Sequence, residues 1–222
     1  MQGAPTGYGL TRRMFVRAAA VAATSPAARA MPAPQTNALA FQVMRHGTVI
    51  GTHAVWFETA GKTLAAHLDC KLRISFGPIT VFRYHHKGLE RWENGRFAAL
   101  DTTTDNNGTA LSLSARRTPA GIEIRSGGIT RVAPAGALPL THWNQACMSA
   151  PLFNPQDGTL LEETAQFQGQ DRVMLADGQI VAARHYAMRG AAPIEDWYDA
   201  AQTWTALRAH VKDGSVLEYR RT

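Results

Sequence analysis

Thr48-Val-Ile-Gly51-Thr-His53-Ala-Val55-Trp56-Phe57-Glu-Thr59 alternates with period two. Val49, Gly51, His53, Val55 and Phe57 fall on one face, and Ile50, Thr52, Ala54 and Trp56 on the other. Successive side chains of a strand point to opposite sides, so this alternation of β-branched and aromatic residues describes an extended strand. The same reading holds farther along. Leu64, Ala66, Leu68 and Cys70 alternate with Ala65, His67 and Asp69, and Ile180, Ala182, Arg184, Tyr186 and Met188 with Val181, Ala183 and His185. Several of these segments are apolar on both faces, which predicts a strongly curved sheet or one packed on each side.

Turn signals separate the segments. Asn94-Gly95, Asn107-Gly108, Asp157-Gly158, Asp177-Gly178 and Asp213-Gly214 are pairs that tolerate the positive φ of tight hairpin turns. His46-Gly47, Ala60-Gly61 and Ala120-Gly121 add further turns. Strands are predicted over 39–46, 48–59, 63–75, 79–87, 96–104, 109–117, 121–126, 159–167, 171–175, 179–188, 194–199, 203–211 and 215–220. The stretch from Gly127 to Asn154, with Pro134, Pro139 and Pro151, is the irregular part, expected to be functional or capping. The fold class is all-β: a single curved antiparallel meander forming a half-barrel or open barrel. Its concave face would enclose a pocket, and covering that face or closing the sheet would protect the edges.

Residues 1–30 read as an address. Thr11-Arg-Arg-Met-Phe-Val-Arg17 precedes an alanine-rich run, Ala18–Ala23, and a small-x-small Ala28-Arg29-Ala30 site suited to a signal peptidase. The paired arginines resemble a twin-arginine (Tat) export signal, which implies engagement of the Tat export machinery and a periplasmic or secreted protein. Residues 31–38 would be a flexible leader and 39–222 the β domain.

This reading changes the charge argument. The whole chain has 222 residues, 23 Lys+Arg and 17 Asp+Glu, net +6. Loss of Arg12, Arg13, Arg17 and Arg29 with the first 30 residues leaves 19 basic and 17 acidic residues, net +2 over 192. So weak a charge leaves no footprint for phosphate backbones, and nucleic acid is excluded as a partner. No run of 18 or more apolar residues occurs, so no transmembrane segment of helical type is expected.

Several pieces, in order along the chain, carry a resemblance. They are Phe41-Gln-Val-Met-Arg-His-Gly-Thr-Val-Ile-Gly51-Thr-His53, Tyr84-His85-His86, Glu90-Arg-Trp92-Glu-Asn-Gly95-Arg96 and Thr104-Asp-Asn-Asn-Gly108. Farther on come Thr141-His-Trp143-Asn144, Leu152-Phe-Asn154 with Asp157-Gly158, Ala183-Arg-His-Tyr186 with Gly190, and Trp197-Tyr198-Asp199 with Asp213-Gly214. Together they resemble a family of exported bacterial proteins known only as a domain of unknown function. The resemblance implies a curved antiparallel half-barrel, similar in outline to periplasmic carriers of lipoproteins and other hydrophobic cargo. It implies no catalytic residues.

The chemistry-bearing residues point more to binding than to catalysis. No HExxH, Gly-x-Ser-x-Gly or phosphate-binding glycine motif is present, and no cofactor is implied. His142 near Cys147 and Met148 falls short of a blue-copper pattern. Glu90, Glu93, Asp101 and Asp105 cluster around a hairpin, where carboxylates are usually solvated. Trp92, Trp143 and Trp197, with Tyr198, His53 and His185, are the candidates for lining a concave pocket that takes a small hydrophobic ligand or lipid. The other reading of the tryptophans is that they plug the barrel and anchor its hairpins. Cys70 and Cys147 are the only cysteines, and in an oxidising compartment they are candidates for a disulfide, with nothing in the sequence requiring their contact. The expectation is an exported, non-catalytic ligand-binding or scaffold protein. The alternative is an exported enzyme or metalloprotein with a His/carboxylate site in the concave face.

Overall fold

The structure is a computed structural model that describes residues 36–222 apart from 77, 163, 190–192 and 212. The expected signal peptide lies outside the described residues. Thirteen strands form one antiparallel sheet: β1 (Ala38–Arg45), β2 (Thr48–Ala60), β3 (Thr63–Phe76), β4 (Ile79–Glu93), β5 (Arg96–Asn106), β6 (Thr109–Thr118), β7 (Gly121–Ser126) and β8 (Ile129–Ala133), then β12 (Ala165–Met174), β13 (Ile180–Met188), β14 (Ile194–Tyr198), β15 (Trp204–His210) and β16 (Val216–Arg221). Between β8 and β12 run three two-residue strands, β9 (Leu138–Pro139), β10 (Leu152–Phe153) and β11 (Leu160–Leu161), and a single 3-10 turn over Gln145–Ser149.

Spatial order in the sheet is β12-β13-β14-β15-β16-β1-β2-β3-β4-β5-β6-β7-β8. Every neighbour is a hairpin partner except β1 and β16, the first and last strands of the chain, which pair with Phe41 opposite Arg221. The sheet is therefore a meander cut in its middle by the termini, and it does not close: β8 and β12 are its free edges. The bulge between Phe167 and Gly169 on β12 breaks the ladder of that edge, and Asp171 and Arg172 place charges on it, both of which discourage edge pairing.

The turns follow the local chemistry. Asn94-Gly95 and Asn107-Gly108 have positive φ at both residues (51° and 71°, 53° and 92°), the geometry that matches strand twist. Asp177 and Asp213 act otherwise: each accepts from the backbone N–H two residues on, closing a longer turn. Asp157-Gly158 makes no hairpin of the large sheet and lies between β10 and β11.

Three boundaries differ from the pattern. β4 continues through Gly88 to Glu93, because Gly88 packs its backbone against Leu68 and the strand ends only at the Asn94 turn. Gly127-Gly128, both at positive φ, turns the chain into an additional strand, β8. The predicted segments 159–167 and 171–175 resolve into β11 and one bulged strand, β12, in which Gly169 is the bulge rather than a break.

The concave face is filled over part of its length. Residues 134–162 fold into it as a plug, and Trp143, Cys147, Met148, Leu152 and Phe153 pack there against Leu39, Phe41, Val55, Trp92, Phe97, Ile122, Tyr198 and Trp204. The convex face carries mostly small or polar side chains and one minor apolar cluster of Ala183, Trp197 and Ala206. The two-sided apolar pattern thus reflects curvature and not a second layer.

Candidate functional site

The plug covers only part of the concavity. Beside it lies a cavity of about 820 Å³. Its apolar wall comes from Leu68 and Leu72 of β3, Val81 and Phe82 of β4, Ile50 of β2 and Leu217 of β16. Strand parity delivers these residues: Leu68, Cys70 and Leu72 face inward because Leu64 and Ala66, on the same face, are buried under the plug. The close approach of β2 and β3 here needs Gly51, where an added Cβ would lie 1.9 Å from the carbonyl oxygen of Lys71. At the rim, Arg45 pairs with Asp213 and donates to the Ser215 hydroxyl.

The floor is polar but uncharged in character. His86 Nδ1 lies 2.8 Å from Thr104 Oγ1, and burial lowers the pKa of this imidazole to about 4, with His85 adding to the effect. His53 is buried beneath Trp204 and Tyr219, with ring centroids 5.3 and 5.8 Å away. Neither of its ring nitrogens has a hydrogen-bond partner among the described residues. Desolvation lowers its pKa to about 3, and His142 and His86 push in the same direction. Cys70 Sγ faces Tyr219 Oη at 4.0 Å.

His142, at the junction of plug and cavity, is the oriented residue of the site. Its Nδ1 is 3.0 Å from Oδ2 of Asp196 on β14, and its ring stacks on Trp204 at 5.5 Å and 20°. Asp196 is 1% exposed, and its second oxygen accepts from Trp204 Nε1 at 3.0 Å. A carboxylate only accepts, so Nδ1 carries a proton, and the neutral imidazole presents the lone pair of Nε2. The backbone at His142 is left-handed, φ 66°, a conformation that costs a non-glycine residue about 1 kcal/mol. The Tyr198 hydroxyl donates to the His142 carbonyl at 2.7 Å and holds it there.

Deeper in the plug, Glu90 of β4 is fully buried. Its Oε1 accepts from Trp92 Nε1 at 2.7 Å, and its Oε2 from Thr141 Oγ1 at 2.9 Å and Trp143 Nε1 at 3.0 Å. Burial pushes this carboxyl up to about 7 against the downward pull of those three donors. The bonds tie the plug to the sheet, so Glu90 is a structural clamp, in contrast to the solvated cluster read from the sequence.

The candidate residues separate into three places. His53 borders the cavity. Trp92, Trp143 and Tyr198 lie in the packed core between plug and sheet. Trp197 and His185 stack on each other at 4.5 Å on the opposite, convex side, where Arg208 lies over Trp197 and Asp171 accepts from its Nε1 at 3.0 Å. His142, Asp196 and Glu90 were not among the candidates. Period-two parity held a signal for Glu90, since a carboxylate two residues before a buried Trp on a strand shares its face.

Cys70 and Cys147, the candidate disulfide pair, are both buried and stand as free thiols in the structure. They belong to different environments: Cys70 contacts Tyr219 at the cavity, and Cys147 contacts Tyr198 beneath the plug. Burial raises both thiol pKa values, that of Cys70 to about 12. From the usual value of 9.0 this lowers the Cys70 thiolate population roughly a thousandfold. Titration with a water-soluble aromatic disulfide should therefore be very slow in the folded protein and should reach two thiols per chain after denaturation. Fewer than two in the unfolded, unreduced chain would mean that the cysteines bridge.

Among the described residues no cluster of His, Cys, Asp and Glu has the geometry to hold a metal ion, and no helix is long and apolar enough to cross a membrane. No curated protein matches the chain in sequence. The chain is similar in fold to a crystal structure of a beta-barrel-like protein of domain of unknown function DUF1849 from Brucella abortus. That similarity has a TM-score of 0.60 at 7% identity and covers 83% of this chain and 94% of that one. In sequence, residues 41–222 match the model of the family described as Domain of unknown function (DUF6134). The match runs from within β1 to the end of β16, plug included, and the protein belongs to this family.

Proposed function

We propose that this protein is exported and holds a small apolar molecule in the open half of its concave face. One observation carries the reading: the plug fills only part of the concavity and leaves a cavity of about 820 Å³ beside it. That volume lies within the range of small-molecule sites, about 300–1,000 Å³, and its apolar wall with a few polar groups is the composition such sites have. The N-terminal Arg12-Arg13 signal supports export.

The enzyme alternative draws on the His142–Asp196 pair, which has the arrangement of an oriented general base. Of the nucleophile candidates on the cavity wall, burial keeps the Cys70 thiol protonated and the Thr141 hydroxyl is already donated to Glu90. Binding therefore explains more of the cavity than catalysis does.

Protein isolated from the envelope of its own cells, measured by native and then denaturing mass spectrometry, tests the reading. A bound apolar molecule at close to one per chain is expected, with Leu217→Trp, which fills the cavity, carrying much less. Protein that is bare and takes up no added long-chain lipid overturns it. Export is tested separately: Arg12→Lys with Arg13→Lys should hold the chain in the cytoplasm, and unaltered export would remove the Tat assignment.

A further inference from the structure

Resting on the cavity reading, we infer that the bound molecule has an uncharged head bearing a hydroxyl, which enters the cavity first and donates a hydrogen bond to Nε2 of His142. The geometry of the pair gives the direction of this bond. Asp196 fixes a proton on Nδ1, so Nε2 of the neutral ring is an acceptor, and the His142 ring borders the cavity with a side chain 14% exposed. The stack on Trp204 and the Tyr198–His142 carbonyl bond fix the ring before any ligand arrives.

The charge of the head follows from what surrounds it. Among the described residues, Arg45 and Asp213 are the only permanently charged side chains lining the cavity, and they neutralise each other at the rim. The floor offers buried His53, His86 and Thr141 and half-buried Tyr84 and Tyr219, all neutral groups in an apolar enclosure. A carboxylate or phosphate brought here would lose its water and meet no free cation among the described residues, which is costly. A hydroxyl meets an oriented acceptor. The nitrogens of His53, without a partner among the described residues, add a further polar edge close to Trp204.

Three probes of one chain length separate these features: 1-dodecanol, its methyl ether (1-methoxydodecane) and dodecanoate. In the wild-type protein the alcohol should bind roughly tenfold more tightly than the ether, the effect of one net hydrogen bond, and dodecanoate should bind more weakly than the alcohol. Asp196→Asn supplies the second measurement. Trp204 Nε1 can only donate, so the Asn oxygen must face Trp204 and its NH2 must face His142. The imidazole then shifts its proton to Nε2, and the site changes from acceptor to donor. The ether should gain affinity and the alcohol preference should fall to within about twofold, a change that a merely structural role of Asp196 would not produce.

Equal binding of alcohol and ether to the wild type overturns the inference and leaves the cavity reading standing. So does tighter binding of dodecanoate, or an alcohol preference that survives in Asp196→Asn. Failure of all three probes to bind removes the cavity reading itself, and this inference with it. If Asp196→Asn does not fold, the wild-type series still decides.

Discussion

Replacing Glu90 with alanine is expected to lower stability by about 4 kcal/mol, because three buried donors lose their acceptor at once and a void opens beneath the plug. Trp92 and Thr141 reach it from the sheet and the plug respectively, and Trp143 completes the set from the plug. Glu90→Gln keeps the volume and one acceptor oxygen, but its NH2 must face a Trp N–H or the Thr hydroxyl. A loss of about 2 kcal/mol is expected there. The wild-type protein should also show a pH signature that the glutamine variant lacks. The carboxyl is pushed up from 4.5 to about 7 in the folded state. A raised folded pKa means that the native state binds the proton more tightly, so the stabilisation is fully present below pH 4.5 and is lost as pH rises to about 7. The difference between those limits is about 3 kcal/mol. Urea midpoints measured from pH 4.5 to 8 should therefore fall for wild type and remain comparatively level for Glu90→Gln. A wild-type profile that rises over that interval would mean that the three donors outweigh burial and that Glu90 is ionised throughout.

Most of the sheet could be read from period two and the Asn-Gly turns, since both are local. A strand's parity and a positive-φ pair depend on neighbours in sequence, and the thirteen-stranded meander is built from little else. What local pattern does not encode is which strands meet across the cut between β1 and β16, or that residues 134–162 fold inward. Gly88 and Gly169 also misled for a local reason: a glycine in a strand looks like an end whether it marks close packing, a bulge or a turn. The site was less legible than the sheet. His53 stood in the alternating pattern, and its inward parity was available once one face of β2 was known to be buried. His142 stands in the irregular plug with a left-handed backbone, and its partner Asp196 is 54 residues away. No spacing rule relates them. Trp197 was singled out where its neighbour Asp196 mattered, and strand alternation turns those two to opposite faces.

Trp204 is where the packed half and the open half of the concavity meet, and its replacement by alanine is expected to cost about 4 kcal/mol, the usual range for truncating a buried tryptophan. The ring is fully buried and packs on Phe41 at 4.1 Å, on His142 at 5.5 Å and on His53 at 5.3 Å. For a domain of this size that loss should lower Tm by roughly 10 °C, with the urea m-value unchanged if only the native contacts are affected. Trp204→Phe separates packing from hydrogen bonding. It keeps an aromatic face for His142 but removes part of the buried ring and the N–H that donates to Asp196 Oδ1 and to the Ala206 carbonyl, so a loss of about 2 kcal/mol is expected. In Asp196→Asn the same N–H faces an amide oxygen, and adding Trp204→Phe to that background should cost less than it does in the wild type. The coupling arises because a buried carboxylate left with one donor suffers more than a neutral amide does. Equal costs in both backgrounds would show that Asp196 draws its support from elsewhere, and would free the His142 imidazole from the single tautomer on which acceptance of a hydroxyl depends.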